Sequence, residues 1–398
     1  PLYLNAPNLD LTLTLENVFS NQDIAAGIKV LKSKYITMGK HTLMFEKAFA
    51  KKMKTRFAIM VNSGSSANLI AISSLFFKKK NPLKTGDIVI VPAVSWSTTY
   101  HPLQQYGLKC RFVDIDKETL NYDLESLKSA LCDKTRLIVT VNLLGNPNKF
   151  DYINDLISTK NIYLFEDNCE SLGAKFNGKQ AGTFGIAGSY STFFSHHIST
   201  MEGGLVTTDD EELFHIMLSI RSHGWTRHLP KKNHVTGIKS DDDFNESFKF
   251  VLPGYNLRPG ELHGALGIQQ LKKLDEIIDA RRKNAKFFIK LFSQLKMIQI
   301  QKEIGESSWF GFSIILRDNC SFQRSVLIEL FSKNEIECRP IVSGNFLKND
   351  VLKYYNYEIH GELTNAEHLE KNGLFIGNHH YDISNEIEKT YHLIRTLL

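Results

Sequence analysis

The chain has 398 residues, 42% hydrophobic and 23% charged, the mix of an ordinary soluble globular protein, and its length predicts one large domain plus a smaller one. The net charge of +5 is dispersed among acidic residues. The lysine runs "FFKKKNPLK" and "LPKKN" therefore read as solvated loops, and no nucleic-acid partner is expected. Five scattered cysteines, Cys110, Cys132, Cys169, Cys320 and Cys338, form no CxxC and argue against a disulfide framework or a zinc knuckle. They suggest a reducing cytoplasm. The opening "PLYLNAPNLD" lacks the charged and apolar halves of a signal peptide, and no apolar run reaches the ~18–20 residues of a membrane span.

In chain order, "SSANLIAISSLFF" (Ser65–Phe77) has helical spacing and follows a Gly-Ser turn in "VNSGSSAN". Free N–H groups at such a helix start suit a phosphate, although a plain serine cap explains the pattern equally well. "DIVIVPA" (Asp87–Ala93) reads as a buried strand ending near Trp96, a residue either packed in a core or stacked on a planar ring. "KCRFVDID" (Lys109–Asp116), "TRLIVTVNLLG" (Thr135–Gly145), "NIYLFEDN" (Asn161–Asn168) and "SYSTFF" (Ser189–Phe194) read as further strands, and "DLESLKSAL" (Asp123–Leu131) as a helix. Strands alternating with helices predict an α/β fold with a mostly parallel, doubly wound sheet, whose ligand sits at the carboxyl ends of the strands. Asp167 lies at such an end, flanked by Glu166 and Glu170, and carboxylates placed there are costly without partners.

The histidine pair of "FFSHHISTMEGGL" (Phe193–Leu205) follows the last of these strands. "RSHGWTRHLP" then adds His223 and Arg227, and "GYNLRPGELHGALG" adds Asn256 and Arg258 in a Gly/Pro turn. A long helical pattern from about Gly260 to Phe292 reads as a connector. "SSWFGFSIIL", "IECRPIV" and a final helix suffice for a small α+β domain. The division expected is an arm over 1–34, a large domain over 35–265, and the connector with the small domain over 266–398.

Together, "YITMGKHTLMFEKAFA", "NSGSSAN", "GDIVIVPAVSWSTT", "FVDID", "EDNCESLGA", the "EGG" segment and "GYNLRPGELHGALGIQQLKKLD" resemble the DegT/DnrJ/EryC1/StrS family of pyridoxal-phosphate (PLP) sugar aminotransferases. The resemblance implies the type I aminotransferase fold and a homodimer with active sites at its interface. Carried across by position, it implies that Gly64, Ser65 and Ser191 hold the cofactor phosphate, joined by Asn256 of the partner subunit. Trp96 stacks on the ring, Asp167 pairs with the ring nitrogen, and Glu170 lies close by.

One position departs from the family. Its lysine, which forms the imine with PLP, lies six residues before the Glu of "EGG"; counting back from Glu202 gives His196. No lysine occurs between Lys179 and Lys231. Imidazole forms no stable imine, but it acts as a base near neutral pH. This replacement resembles the sugar-nucleotide 3-dehydratase subgroup that makes 3,6-dideoxysugars, and "HGWTR" and "SSWFGF" resemble its colitose branch, which carries no iron–sulfur cluster. The resemblance implies a GDP-linked 4-keto-6-deoxy sugar, mannose type or a heptose, as substrate. Glutamate converts PLP to pyridoxamine phosphate (PMP), His196 removes a proton from the cofactor, the C3 hydroxyl leaves, and ammonia is released. His223 contacts cofactor or substrate across the interface, and His197 needs no catalytic role. A 4-aminotransferase borrowing a distant lysine, or a non-catalytic regulatory protein of the same fold, are the competing readings. The stretch from Trp225 to Phe250 either closes over the nucleotide with Arg227, Lys231 and Lys232 or is a solvated loop.

Overall fold

The computed structural model describes residues 18–397; residues 1–17 of the expected arm lie outside the described residues. Helix α1 (Asn21–Ser33) starts at a capping box in which Ser20 and Asp23 satisfy each other's backbone N–H groups. Asp23 is also buried against Lys273, whose Nζ lies 2.6 Å from Oδ2, so α1 is clamped to the long helix that follows the large sheet. After α2 (Lys40–Met53) come strand β1 (Phe57–Val61), helix α3 (Gly64–Leu75), β2 (Ile88–Pro92), α4 (Ser97–Gln105), β3 (Lys109–Val113), α5 (Leu124–Ser129), β4 (Thr135–Val141), α6 (Phe150–Ile157) and β5 (Tyr163–Asp167). A small hairpin, β6 (Lys175–Phe176) and β7 (Lys179–Gln180), precedes β8 (Ala187–Ser191), β9 (Gly204–Thr208) and α7 (Glu211–Ile220). A second hairpin, β10 (Lys232–Asn233) and β11 (Gly237–Ile238), and the short α8 (Asp243–Glu246) lead to α9 (Glu261–Phe292). The remainder holds β12 (Ile298–Gln299), β13 (Gly311–Leu316), α10 (Arg324–Lys333), β14 (Cys338–Arg339), β15 (Tyr357–Ile359), α11 (Thr364–Asn372), β16 (Gly373–Gly377) and α12 (Ser384–Arg395).

The large sheet has the order β1-β9-β8-β5-β4-β2-β3-β15. Every neighbouring pair from β8 to β15 is parallel, while β9 pairs antiparallel with both β8 and β1. β2 and β8 are buried at every residue, as strands covered by helices on both faces must be. The expected mostly parallel, doubly wound sheet is therefore present, with an antiparallel edge. The second sheet, β12-β13-β16-β14, is antiparallel throughout. Phe288 and Phe292 of α9 pack against it, with Phe288 stacked on Phe312 of β13 at 4.3 Å. Thus α9 joins the two parts, and β15 returns from the C-terminal part to extend the large sheet beside β3. Among the described residues no helix is long and apolar enough to cross a membrane.

Candidate active site

The carboxyl ends of β2, β4, β5 and β8 meet around one cavity of about 330 Å³. Gly64, Ser65, Trp96, Asp167, Glu170, Ser191 and His196 all line it. Of the nine residues given a catalytic or cofactor-binding role in the sequence, seven are thereby brought to one place.

At one end lies the start of α3. Ser63 caps it by accepting a hydrogen bond from the Ser66 N–H at 3.0 Å. A Cβ on Gly64 would come within 2.7 Å of the Ser191 Cβ and 3.0 Å of the Cys169 sulfur, so the backbone approaches the end of β8 as only glycine allows. The glycines of "EGG" have the same origin: a Cβ on Gly204 would lie 2.2 Å from the Ser63 carbonyl oxygen. The first N–H groups of a helix have no partner within it, and Gly64 and Ser65, which carry two of them, line the cavity together with Ser191.

Asp167, only 5% exposed, ends β5. Its Oδ2 accepts from Asn68 Nδ2 at 2.8 Å and Thr99 Oγ1 at 2.7 Å, and its Oδ1 accepts from the Cys169 N–H at 3.1 Å. A second layer orients these donors. Ser189 donates to Asn68 Oδ1 at 2.6 Å, and Ser95 meets the Thr99 hydroxyl at 2.8 Å. Because Thr99 gives its own proton to Asp167, Ser95 must be the donor to Thr99.

The acids either side of Asp167 differ from it. Glu166 points to the opposite face of β5 and accepts from the N–H groups of Gly182 (2.6 Å), Phe184 (2.5 Å) and Gly185 (2.8 Å). It builds that turn and does not line the cavity. Glu170 does line it and receives a single hydrogen bond among the described residues, from the Leu144 N–H to Oε2 at 3.0 Å. Burial, with Asp167 close by, pushes its carboxyl up to about 7, against the pull of the Leu144 bond.

The two histidines separate. His197 is 3% exposed, and its Nε2 donates to the Ser308 carbonyl at 3.1 Å. His196 faces the cavity, its ring 5.2 Å from that of Phe310, and its buried Nδ1 has no hydrogen-bond partner. Burial pulls the His196 ring down to about 3, assisted by the positive charge of Arg281. Arg281, on α9, is 1% exposed; its Nη1 donates to the carbonyls of Trp309 (3.3 Å) and Phe310 (3.1 Å). The ring is therefore held neutral, with one nitrogen keeping its lone pair. No lysine is among the residues lining the cavity.

His223 and Asn256 do not line this chain's cavity. They sit together elsewhere, joined by a bridge between Ser222 and Asn256 and by the His223 N–H donating to Tyr255 O at 2.7 Å. His223 has a left-handed backbone (φ 61°) and its ring lies 4.9 Å from Trp225. Arg227 lies 4.5 Å over Trp225 and 5.3 Å over Phe248, while Lys231 is bonded to Asp241. Around them Phe244, Phe248 and Phe250 are 81%, 62% and 58% exposed.

Sequence reasoning passed over Asn68, Thr99, Phe310 and Arg339, of which all line the cavity. Asn68 was findable: it lies four residues after Gly64 on one helix, hence on the same face. Arg339 and Phe310 arrive from the C-terminal part, and no local pattern points to them.

A sequence profile of the DegT/DnrJ/EryC1/StrS aminotransferase family matches residues 18–392. The GDP-4-keto-6-deoxy-D-mannose 3-dehydratase of Escherichia coli O55:H7 is 60% identical over 360 residues, covering 90% of this chain and 93% of that protein. A crystal structure of a GDP-4-keto-6-deoxymannose-3-dehydratase mutant with bound GDP-perosamine superposes with a TM-score of 0.95 at 56% identity, covering 97% of this chain and 100% of that one. Another, of the same kind of enzyme with a trapped PLP-glutamate geminal diamine, also has a TM-score of 0.95, at 57% identity, covering 96% of this chain and 100% of that one.

Proposed function

The chain belongs to the DegT/DnrJ/EryC1/StrS aminotransferase family, and from that membership we propose that it is a PLP- and PMP-dependent 3-dehydratase. It removes the C3 hydroxyl of GDP-4-keto-6-deoxy-mannose, takes its amine from glutamate and releases ammonia. The observation that carries this reading is His196: a neutral imidazole lines the cavity, in the register of the family's lysine, and no lysine lines it. The substrate and donor follow from what the similar proteins act on and hold.

The residues fit the cofactor. The Gly64 cradle, which a Cβ would fill, together with Ser65 and Ser191, suits its phosphate. Asp167, oriented by three donors, would pair with the ring nitrogen, and Trp96 would cover a ring face. When bound, the cofactor supplies the amine that condenses with the C4 ketone and an electron-poor ring that takes up charge. With the cofactor held there, His196 would take up the proton at the cofactor carbon bearing that amine, and with no lysine lining the cavity the enzyme would have no amine of its own there to recapture the product.

The reading includes a second copy of the chain. Ile24, Ile28 and Leu31 of α1 and Tyr35, Ile36, Leu43 and Met44 beyond it are about half exposed, an apolar patch of the kind a partner covers. His223 and Asn256, outside their own chain's cavity, would complete the partner's site. Its place is the cytoplasm, where the five free cysteines stay reduced.

Incubation with glutamate and GDP- and CDP-linked 4-keto-6-deoxy sugars, read by mass, tests the activity: loss of the C3 oxygen from the GDP-mannose compound is expected, and an amino sugar would refute it. Mixing His196→Asn with Asn256→Ala protein tests the shared site. Activity regained on subunit exchange supports it, and none regained counts against it.

A further inference from the structure

We infer that a groove remote from the cavity is a second, non-catalytic site, and that it takes a nucleoside diphosphate. The inference does not depend on the reaction proposed above. The groove encloses about 870 Å³ between the C-terminal turn of α2, the hairpin β6–β7 and the middle of α9, a size within the range of small-molecule sites. It shares no lining residue with the cavity. Strand β1 runs between them. Lys54 of the groove precedes the strand, and Ser63 of the cavity follows it, so its five residues set the two ~16 Å apart.

Lys51, Lys52, Lys54, Lys175, Lys179 and Lys272 line the groove with a single carboxylate, Asp275. Six cations against one anion give +5, equal to the net charge of the whole chain. The fold thus gathers at one place a charge that is scattered along the sequence. Like charges held together repel, and the repulsion costs stability. The dipole of α2 accounts for Lys51 and Lys52, which lie in its last turn. It does not account for the lysines of the hairpin and of α9. Local acids neutralise only part of the charge. Lys52 meets Asp275 at 2.6 Å and Lys175 lies 3.9 Å from Glu306, while Lys51 and Lys54 have no side-chain hydrogen bond or ion pair among the described residues.

Two further features narrow the occupant. Ala48, Met53, Ile268 and Leu271 supply an apolar wall, which suits a nucleobase and gives a bare phosphate nothing. The other feature is Gln180, which also lines the groove. The Asn177-Gly178 turn, with φ of 48° and 75°, closes the hairpin tightly and pairs Gln180 with Lys175 across it. The Gln180 Oε1 is buried and has no hydrogen-bond partner among the described residues. Such an acceptor is costly unless an N–H meets it. A nucleobase offers N–H groups, and its diphosphate offers anionic oxygens that lysine ammoniums on flexible stems can follow.

Lysine acetylation of the full chain, read by peptide mass spectrometry, tests the site with GDP, guanosine and inorganic pyrophosphate as probes. With GDP at ~10 times its dissociation constant, Lys51, Lys54 and Lys272 should acetylate ~10-fold more slowly. Lys389 on α12, outside the groove, should keep its rate. Guanosine and pyrophosphate should each protect less than GDP at the same concentration. No protection by GDP overturns the proposal, and equal protection by pyrophosphate overturns the assignment to a nucleotide. Equilibrium dialysis adds a variant. Lys51→Gln combined with Lys272→Gln should bind one GDP fewer per chain than wild type, whether or not the cavity also binds the nucleotide, and should keep the wild-type kcat/KM for dehydration. Undiminished GDP binding by that variant would contradict the site. A wild-type chain that fails to dehydrate would instead refute the reading of the cavity, and protection of the groove lysines would still stand.

Discussion

The two sides of the cavity are built on opposite terms. Around Asp167 the polar groups are tied: Ser95 to Thr99, Ser189 to Asn68, and Thr99 and Asn68 to the carboxylate. Around His196 and Glu170 they are not: the imidazole Nδ1 has no partner and the carboxyl has one. A fully bonded network holds one geometry, which suits a group that must keep a cofactor in place. A buried polar group left without a partner costs free energy, and such a cost is repaid where the group must accept or give a proton. In the function proposed above, proton transfer falls to His196 on the loosely bonded side and positioning to the tied one.

That contrast breaks in different ways on each side. On the reacting side, His196→Asn should slow dehydration by ~10²–10⁴-fold with a circular-dichroism melt like the wild type's, since the ring makes no hydrogen bond through Nδ1. His196→Lys should instead bring the absorption band of a lysine–PLP imine and abolish or sharply reduce dehydration. On the tied side, Asp167→Ala should cost stability as well as cofactor, about 1–3 kcal/mol from the stranded Asn68 and Thr99 donors, read by urea unfolding of the apoprotein.

A smaller effect comes from pH. The imidazole of His196 is held down to about 3 and that of His197 well below its usual 6.5, both first by burial and then by the Arg281 charge. The unfolded chain therefore binds protons at these sites below pH ~6.5 while the folded chain does not, and the rings' contribution to stability falls as pH drops. It falls by about 1.4 kcal/mol per unit for each ring while that ring stays neutral in the folded state. Glu170, raised to about 7, acts with the opposite sign over the same window, so the ring's share is isolated by comparing variants: the unfolding free-energy difference between wild type and His197→Gln, which keeps a donor for the Ser308 carbonyl, should move against wild type as pH falls from 7.5 to 5. The smallest change is Ser95→Ala, which removes one outer hydrogen bond and should cost about 0.5–1.5 kcal/mol.

Much of the reacting side was legible in the sequence. The register from Glu202 placed His196, and the alternation of apolar runs placed β2, β3, β4, β5 and β8 with Asp167 at a strand end. The tied side was less so, because Asn68, Thr99 and Asp167 meet across three elements and nothing in their local stretches declares the pairing. The two antiparallel strands at one end of the sheet, β1 at its edge and β9 next to it, were not read either. "FAIMV" and "GLVTT" are short, they pair antiparallel with each other, and β9 pairs antiparallel with β8, outside the alternating strand–helix pattern. Arg281 sits within a helix rich in lysine and arginine, and only the fold brings the Trp309 and Phe310 carbonyls to it and buries it.

The most direct measurement follows both products of a single turnover: the PMP-loaded enzyme with GDP-4-keto-6-deoxy-mannose, read by mass for the sugar and by assay for ammonia. A sugar that has lost its C3 oxygen, with one ammonia released per sugar, is the result predicted. A sugar that keeps its C3 hydroxyl and gains an amine at C4, with no ammonia, would contradict the role given to His196.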